Sequence, residues 1–248
     1  MERYIIQLSY KGTNYHGWQV QNNAPTVQKM LNNALSILFN ENIETIGAGR
    51  TDTGVHAYHY IAHFDCFAPL PYPAEKLIYK LNSVLPNDIA IECIKPTSDT
   101  FNARFDAVSR TYKYFICQKK NPFYIDFSYQ LYHLLDVELM NIAAKTLFDY
   151  HDFTSFSKLH TDVKTNDCKI SYAHWETNEN GMLVFTITSN RFLRNMVRAI
   201  VGTLLEVGKG KTDINQFRKI IELKDRGKAG VSVPAKGLFL WQIDYNNI

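Results

Sequence analysis

Two hydrophobic rhythms alternate along this chain, and their order restricts the fold more than any other feature. Arg3–Tyr10 alternates residue by residue and puts Tyr4, Ile6, Leu8 and Tyr10 on one face, as in a strand. Val27, Met30, Leu31, Ala34, Leu35 and Leu38 then recur at helical spacing behind Thr26, a candidate N-cap. Asn42–Ile46 reads as a short strand and Tyr58–Phe67 as a longer one. Ala74, Leu77, Ile78, Leu81, Val84 and Leu85 mark a second helix ended by Pro86, and Ile89–Lys95 a further strand. The first half therefore reads β-α-β-β-α-β.

The second half repeats that order. Arg110–Gln118 is a strand rich in Tyr and Phe, and Asp136 caps a helix whose apolar side is Leu139, Met140, Ala143, Ala144 and Leu147. Ile170–Thr177 and Leu183–Ser189 are strands joined by a turn at Asn178–Gly181. Phe192–Leu205 is predicted as the strongest helix, with Leu193, Met196, Val197, Ile200, Val201 and Leu204 on one side. A short amphipathic helix, Thr212–Leu223, and a last strand, Leu238–Ile243, follow. The expected class is α+β, built from two ferredoxin-like β-α-β-β-α-β halves. The halves share an order of elements but no residue-level repeat. They are expected as domains 1–104 and 105–248, linked through Phe101–Ser109. A chain of 248 residues with 46% hydrophobic residues, 15 Tyr and 15 Phe can fill the cores this requires.

Composition excludes less than it allows. A net charge of +3 is compatible with nucleic-acid binding only where basic residues gather locally. Cys66, Cys93, Cys117 and Cys168 form no C-x-x-C and read as free thiols of a reducing compartment. The start, MERYIIQLSY, lacks a signal-peptide layout, and no apolar run reaches spanning length, so a soluble cytoplasmic protein is expected. In Tyr58–Phe67, Tyr60, Ala62, Phe64 and Cys66 face one way and His59, Ile61, His63 and Asp65 the other. His56, His59 and His63 invite a metal reading. Their spacing is loose, no cysteine joins them, and His56 is assigned to the preceding loop. A solvated or partner-facing strand face is the stronger expectation, and no metal site is expected.

Between the strands lies Gly47–Ala57, GAGRTDTGVHA, with three glycines, one arginine and one aspartate. Glycines let backbone turn tightly or approach a ligand closely. Thr51 and Thr53 flank Asp52 and can bond their own backbone, which stiffens a loop. Asp52 is the only carboxylate of the segment, and an arginine two residues before it can hold it ionised and aim it. The plainer alternative is a Gly-rich turn with a surface ion pair. The polar loop Lys11–Pro25 carries Tyr15 and Trp18, either exposed for function or packing the loop onto the core.

GAGRTDTGVHA closely resembles the active-site loop of the TruA family of tRNA pseudouridine synthases. Other stretches resemble the family in its own order: Tyr10–Gln21, Leu81–Ile89, Phe101–Tyr114, His151–Lys158, Phe192–Gly202 and Pro234–Leu240. The resemblance implies that the sheets of the two halves join into one central mixed sheet with a cleft. It also implies a homodimer that grips tRNA across both subunits, with uridines 38 to 40 of the anticodon arm as substrate.

Pseudouridylation breaks the bond between uracil N1 and ribose C1′, turns the base and rejoins it through C5. This isomerisation needs no redox cofactor, metal or activated donor, and none is expected. It needs an anionic group near C1′ or C2′. Asp52 fits, as a nucleophile on C1′ or as the base that takes the C2′ proton. Glycoside hydrolysis usually uses two carboxylates across the bond, and this loop offers one. Tyr112 shares a strand face with Arg110 and Tyr114; it suits stacking on a flipped base and moving the C5 proton, or else a cross-strand aromatic pair. By the resemblance it is the base-stacking residue. Arg191, Arg194 and Arg198 are expected as a basic stripe on the 192–205 helix. The resemblance makes Arg198 the partner of the aspartate and Arg50 the group that extrudes the target base. It places Phe156, Ser157 and Lys158 near the RNA.

Candidate phosphate contacts are Lys11, Arg104, Lys113, Lys158 and Arg194. Two departures from the family stand out. Thr161–Lys169 has Asn166 and Asp167 where an arginine is expected, and Val233 replaces an alanine. The rival readings are a non-catalytic RNA-binding or RNA-folding module and a nucleoside-bond hydrolase.

Overall fold

The computed structural model describes residues 1–67, 69–158 and 165–246. Its elements begin with β1 (Glu2–Tyr10), α1 (Val27–Phe39), β2 (Thr45–Gly47), β3 (His56–Cys66), α2 (Ala74–Val84) and β4 (Ile89–Thr97). They continue with β5 (Ala107–Cys117), β6 (Tyr129–Gln130), α3 (Val137–Lys145), β7 (Ile170–Thr177) and β8 (Leu183–Ser189). The last are α4 (Met196–Gly208), α5 (Ile214–Glu222) and β9 (Leu238–Tyr245). The chain divides into two compact units, Met1–Val108 with Phe239–Ile248, and Ser109–Leu238. Both mix strands and helices, in keeping with the α+β class. None of the described helices is long and apolar enough to cross a membrane.

In the first unit β1 lies between β3 and β4 and pairs antiparallel with both, Ile6 opposing Ala62 and Ile94. β2 pairs antiparallel with β3, though it covers only Thr45–Gly47 rather than Asn42–Ile46. The order β4-β1-β3-β2 is that of a ferredoxin-like unit. β9 adds in parallel at the start of β3, with His56 opposite Phe239 and Ala57 opposite Leu240. His56 thus opens β3 instead of ending the loop before it.

One face of the sheet buries Tyr4, Ile6, Leu8, Tyr60, Ala62, Phe64 and Cys66, as the alternation implies. Phe39 at the end of α1 meets Phe64 edge-on, and Tyr4 stacks on the same ring. Thr26 caps α1 by accepting the Lys29 N–H. Asn82 of α2 bonds both the N–H and the carbonyl of Ile91, which fixes α2 to β4.

The other face of β3 corrects the expectation of a solvated or partner-facing surface: Ile61 and His63 are buried. After β4 the chain turns back over this face, and Phe101, Ala103 and Tyr245 cover Ile5 and Ile61. Arg3 grips Asp65 with two nitrogens and the Phe101 carbonyl with a third. The Ala103 N–H donates to His63 Nδ1 and the Tyr245 hydroxyl to the Ala103 carbonyl. The stretch expected as a link is therefore strapped down over residues 101–103.

In the second unit β8 pairs antiparallel with β5 and with β7; Tyr112 opposes Ile187 and Trp175 opposes Phe185. Asp136 caps α3 through the Leu139 N–H, and Asp213 forms a capping box with Gln216 at the start of α5. Gly208 lets Met140 of α3 sit against α4, because an added Cβ would lie 2.4 Å from the Met140 sulfur. The helix predicted over Phe192–Leu205 begins only at Met196. Asn195 adopts a left-handed φ of 68°, and the Met196 N–H turns back to the Leu193 carbonyl. The expected stripe is thereby broken, with Arg198 on the helix and Arg191 and Arg194 in the turn before it.

His63 makes the strap sensitive to acid. Burial, and then the nearby Arg3 charge, hold its imidazole down at about 4, below the ordinary 6.5. Its Nδ1 already accepts the Ala103 N–H, so protonation sets two N–H groups against each other. The unfolded chain binds that proton near pH 6.5 while the folded chain resists it to about pH 4. Stability therefore falls as pH drops through this window, by about 2 kcal/mol between pH 7 and pH 5 from this group. Urea unfolding of the wild type and His63→Asn at the two pH values checks this. The variant is expected to lose most of that difference; an equal pH dependence would contradict the assignment.

Candidate active site

The loop between β2 and β3 rests on three buried rings of the first unit. Trp18 stacks on Tyr60 with centroids 4.2 Å apart, and Tyr10 lies 5.7 Å from Tyr60 and 6.4 Å from Trp18. Two hydroxyls rise from this floor. That of Tyr60 donates to the Gly49 carbonyl, and that of Tyr10 shares a 2.8 Å hydrogen bond with the Thr51 hydroxyl. Gly47 is pressed against the rings, and an added Cβ would meet Tyr60 Oη at 2.2 Å and Trp18 Nε1 at 2.5 Å. The Ala48 N–H extends the sheet by bonding the Ile61 carbonyl.

Beyond Thr51 the chain makes a tight turn. The Val55 N–H bonds the Asp52 carbonyl, and Gly54 takes φ 78°, the conformation that favours glycine at the third position of such a turn. Asp52 is half-buried on a segment whose backbone is held before and after it. That is what a reaction needing one aimed anionic group demands. Tyr15 and Trp18, which the sequence left open between exposure and packing, are both buried and pack the 11–25 loop down.

Arg50 and Arg104 line one groove together with Trp18, Gln19, Gly47 and Gly49. Both arginines are exposed, and Arg104 lies over the ring of exposed Phe105. Asn102 and Asp106 fold the backbone under Arg104: the Asn102 side chain accepts the Arg104 N–H, and Asp106 accepts that of Asn102. Lys11 lies at the end of β1, half-buried, with its N–H on the Asp88 carbonyl.

The second unit carries the other candidates. Tyr112 is half-buried on β5, opposite Ile187, and Phe192 meets its ring edge-on at 5.1 Å. On the β8 side its cross-strand neighbour is thus aliphatic. Lys113 follows on the opposite strand face, across from Thr186. Tyr114 shares the face of Tyr112 but is fully buried; its hydroxyl donates to the Pro234 carbonyl and its ring lies against Gly237. Burial pushes that hydroxyl far above its ordinary pKa, so it stays a protonated donor.

Arg198 is half-buried on the first turn of α4, and its Nε donates to the Val233 carbonyl at 2.7 Å. The Val233 N–H returns to the Arg198 carbonyl. Val233, in place of alanine, engages Arg198 through its backbone, so the departure leaves this link intact. Phe156 and Ser157 are buried, and of that segment only Lys158 presents its side chain at the surface. The Lys158 N–H bonds the Arg194 carbonyl, joining two of the motifs, and Arg194 is exposed. Part of Thr161–Lys169 lies outside the described residues. Asn166 is used structurally: its side-chain amide donates to the Thr154 hydroxyl, and its backbone carbonyl accepts the Phe153 N–H.

Sequence reasoning missed the supporting residues Tyr60, Tyr114 and Pro234. The signal for two of them was present, since Tyr114 and Pro234 each fall within a family-like stretch.

A family model described as tRNA pseudouridine synthase matches residues 6–106 and 143–246. The tRNA pseudouridine synthase A of Parabacteroides distasonis is 56% identical over 248 residues, covering 99% of this chain and 96% of that one. The enzyme of the same name from Bacteroides thetaiotaomicron is 54% identical, covering 99% and 91%, and that of Bacillus subtilis 41% identical, covering 97% and 98%. A likeness to RNA-bound Cse3 of Thermus thermophilus, at TM-score 0.24 and 9% identity over 84% of this chain and 97% of that one, carries no argument. The chain belongs to the tRNA pseudouridine synthase family.

The ring floor separates two glycines of the loop. Gly47→Ala is expected to cost about 1–3 kcal/mol of stability by overpacking. Gly49→Ala, where an added Cβ meets nothing within 4 Å, is expected to stay within about 0.5 kcal/mol of the wild type. Urea unfolding of both variants checks this, and equal losses would contradict the packing described.

Proposed function

We propose that this chain isomerises uridine to pseudouridine at positions 38 to 40 in the anticodon arm of tRNA. That it is an isomerase acting on tRNA follows from its family. The observation that carries the reading is the near full-length match to enzymes of that name. The finer assignments rest on the family resemblance and on the rigid seat of the Asp52 loop.

Asp52 supplies the anionic group, attacking C1′ or taking the C2′ proton. Tyr112 stacks on the detached uracil and serves the proton at C5. Arg198 pairs with the carboxylate, its Nε tie to Val233 setting the direction of the guanidinium. Arg50 enters the helical stack as the uridine leaves it, offsetting a cost of roughly a few kcal/mol. Lys11, Arg104, Lys113, Lys158 and Arg194 contact phosphates. Two copies of the chain form the working enzyme in the cytoplasm and gather basic surface that a +3 chain alone lacks. The reaction draws on no cofactor.

Unmodified tRNA transcript incubated with the enzyme and probed with a pseudouridine-specific carbodiimide tests the assignment. Adducts are expected at positions 38 to 40 with the wild type and at none with Asp52→Asn, which is expected to bind the transcript as tightly. Simultaneous loss of binding would make Asp52 structural, and adducts elsewhere would reassign the substrate. Binding is also expected to weaken steeply with salt. Five phosphate contacts give a slope of about −4 in log K against log salt. A flat response would count against a phosphate-dominated interface.

A further inference from the structure

We propose that Asp88 is a positioning residue for Asp52, acting through the turn at Gly12–Tyr15; this rests on the role given to Asp52 above. Asp88 lies in the bend between α2 and β4, where the Ile89 N–H closes on the Pro86 carbonyl. The pairing of Tyr10 with Ile89 brings it beside Lys11, and the Lys11 N–H donates to its backbone carbonyl at 2.9 Å. Its side chain then spans the next turn. One carboxylate oxygen accepts the Tyr15 hydroxyl at 2.5 Å, and the other accepts the Asn14 amide at 3.1 Å. Asp88 thus holds both ends of a short 3-10 turn, Gly12–Asn14, through one backbone and two side-chain bonds.

The opposite side of that turn bears on the Asp52 loop at several points. The Tyr15 carbonyl accepts the Gly54 N–H at 3.2 Å. The Gly12 N–H donates to His56 Nδ1 at 3.0 Å. Gly12 lies so close to the loop that an added Cβ would come within 1.9 Å of the Val55 carbonyl oxygen. Gly17, at φ 84°, faces the Thr51 carbonyl in the same manner, with 2.1 Å to an added Cβ. The route from Asp88 to the reacting segment is short. The carboxylate fixes Tyr15, Tyr15 fixes Gly54, and Gly54 closes the turn that begins at Asp52.

A charged acceptor suits this place. A phenol donating to a carboxylate makes a stronger and more directional bond than one donating to a neutral group. Tyr15 is buried, so its ring cannot relax outward without opening the loop packing. The sheet, by contrast, does not depend on this carboxylate. β4 is held by its ladder to β1 and by Asn82 on Ile91, which leave the strand ends fixed when the Asp88 side chain is removed. Its loss is therefore expected to loosen the turn and the Asp52 loop before it loosens the core.

Single-turnover isomerisation at saturating enzyme separates positioning from general stability. Asp88→Ala is expected to lower the rate about 10- to 100-fold, the scale of an ångström-level misplacement. The dissociation constant for unmodified tRNA is expected to stay within about twofold. Asp88→Asn, whose amide oxygen still accepts the Tyr15 hydroxyl, is expected to recover part of the rate. Tyr15→Phe is expected to match Asp88→Ala, and the double variant to be no slower than the slower single one, because both break one link.

Hydrogen exchange supplies a readout apart from activity: the 51–57 segment is expected to exchange faster in Asp88→Ala while β1 and β4 keep wild-type protection. Wild-type rates in the variants, multiplicative effects of the two substitutions, or faster exchange across the whole unit would overturn the proposal. Should Asp88→Ala not fold, Asp88→Asn and Tyr15→Phe carry the same comparison. An inactive wild type would overturn the assigned reaction and this inference with it; an active wild type with unaffected variants would overturn the positioning role alone.

Discussion

The stack of Tyr10, Trp18 and Tyr60 beneath the Gly47–Ala57 loop is the interaction on which the order of that loop, and with it the role proposed for Asp52, depends. A loop rich in glycine has a large conformational entropy to lose, and left alone it would not hold a carboxylate in one place. Here the rings supply a rigid apolar seat while two hydroxyls meet the loop at Gly49 and Thr51. The glycines divide the remaining work. Gly47 permits contact with the rings, and Gly54 permits the turn after Asp52. The segment is thus flexible in composition and held in structure at Ala48, Gly49, Asp52, Gly54 and Val55, whose backbone groups have partners on either side of the carboxylate.

The second unit solves a similar problem with two adjacent carbonyls. Val233 receives Arg198 and Pro234 receives Tyr114, so one short extended stretch sets both a helix arginine and a buried strand tyrosine. Tyr114 supports from below while Tyr112, two residues earlier on the same strand face, stays half-exposed against Phe192. Buried hydroxyls paired to backbone thus recur as the device that orders the residues given functional roles. Leaving either carbonyl without its donor would cost about 1–3 kcal/mol where it is buried.

Local patterns in the sequence carried much of this fold. The alternation in Arg3–Tyr10 and Tyr58–Phe67, the caps at Thr26 and Asp136, and the stop at Pro86 all describe interactions within a few residues, and each has its counterpart in the structure. Features set by distant contacts were not legible. His63 looks like part of an open strand face until Phe101 and Ala103, some forty residues away, fold over it. The helical pattern of Phe192–Leu205 is real in its apolar spacing, yet Asn195 leaves the helical region and unwinds the first four residues. Asparagine tolerates that conformation, but nothing in its neighbours announces it. At the candidate site, the residues proposed to carry the chemistry were singled out through a family resemblance. Their supports were less legible: Tyr60 reads as an ordinary strand tyrosine, and Tyr114 and Asp88, though inside family-like stretches, do not reveal their partners until the chain is folded.

The proposed reaction rearranges a uridine through Asp52 without releasing the base. The most direct measurement uses tRNA transcript labelled with tritium at uridine C5, incubated with the wild type and with Asp52→Ala. Tritium is expected to enter water with the wild type only, at unchanged RNA mass and with no free uracil. Free uracil and an abasic site would show a hydrolase. Tight binding with no tritium release by the wild type would contradict the catalytic account and leave an RNA-binding module in its place.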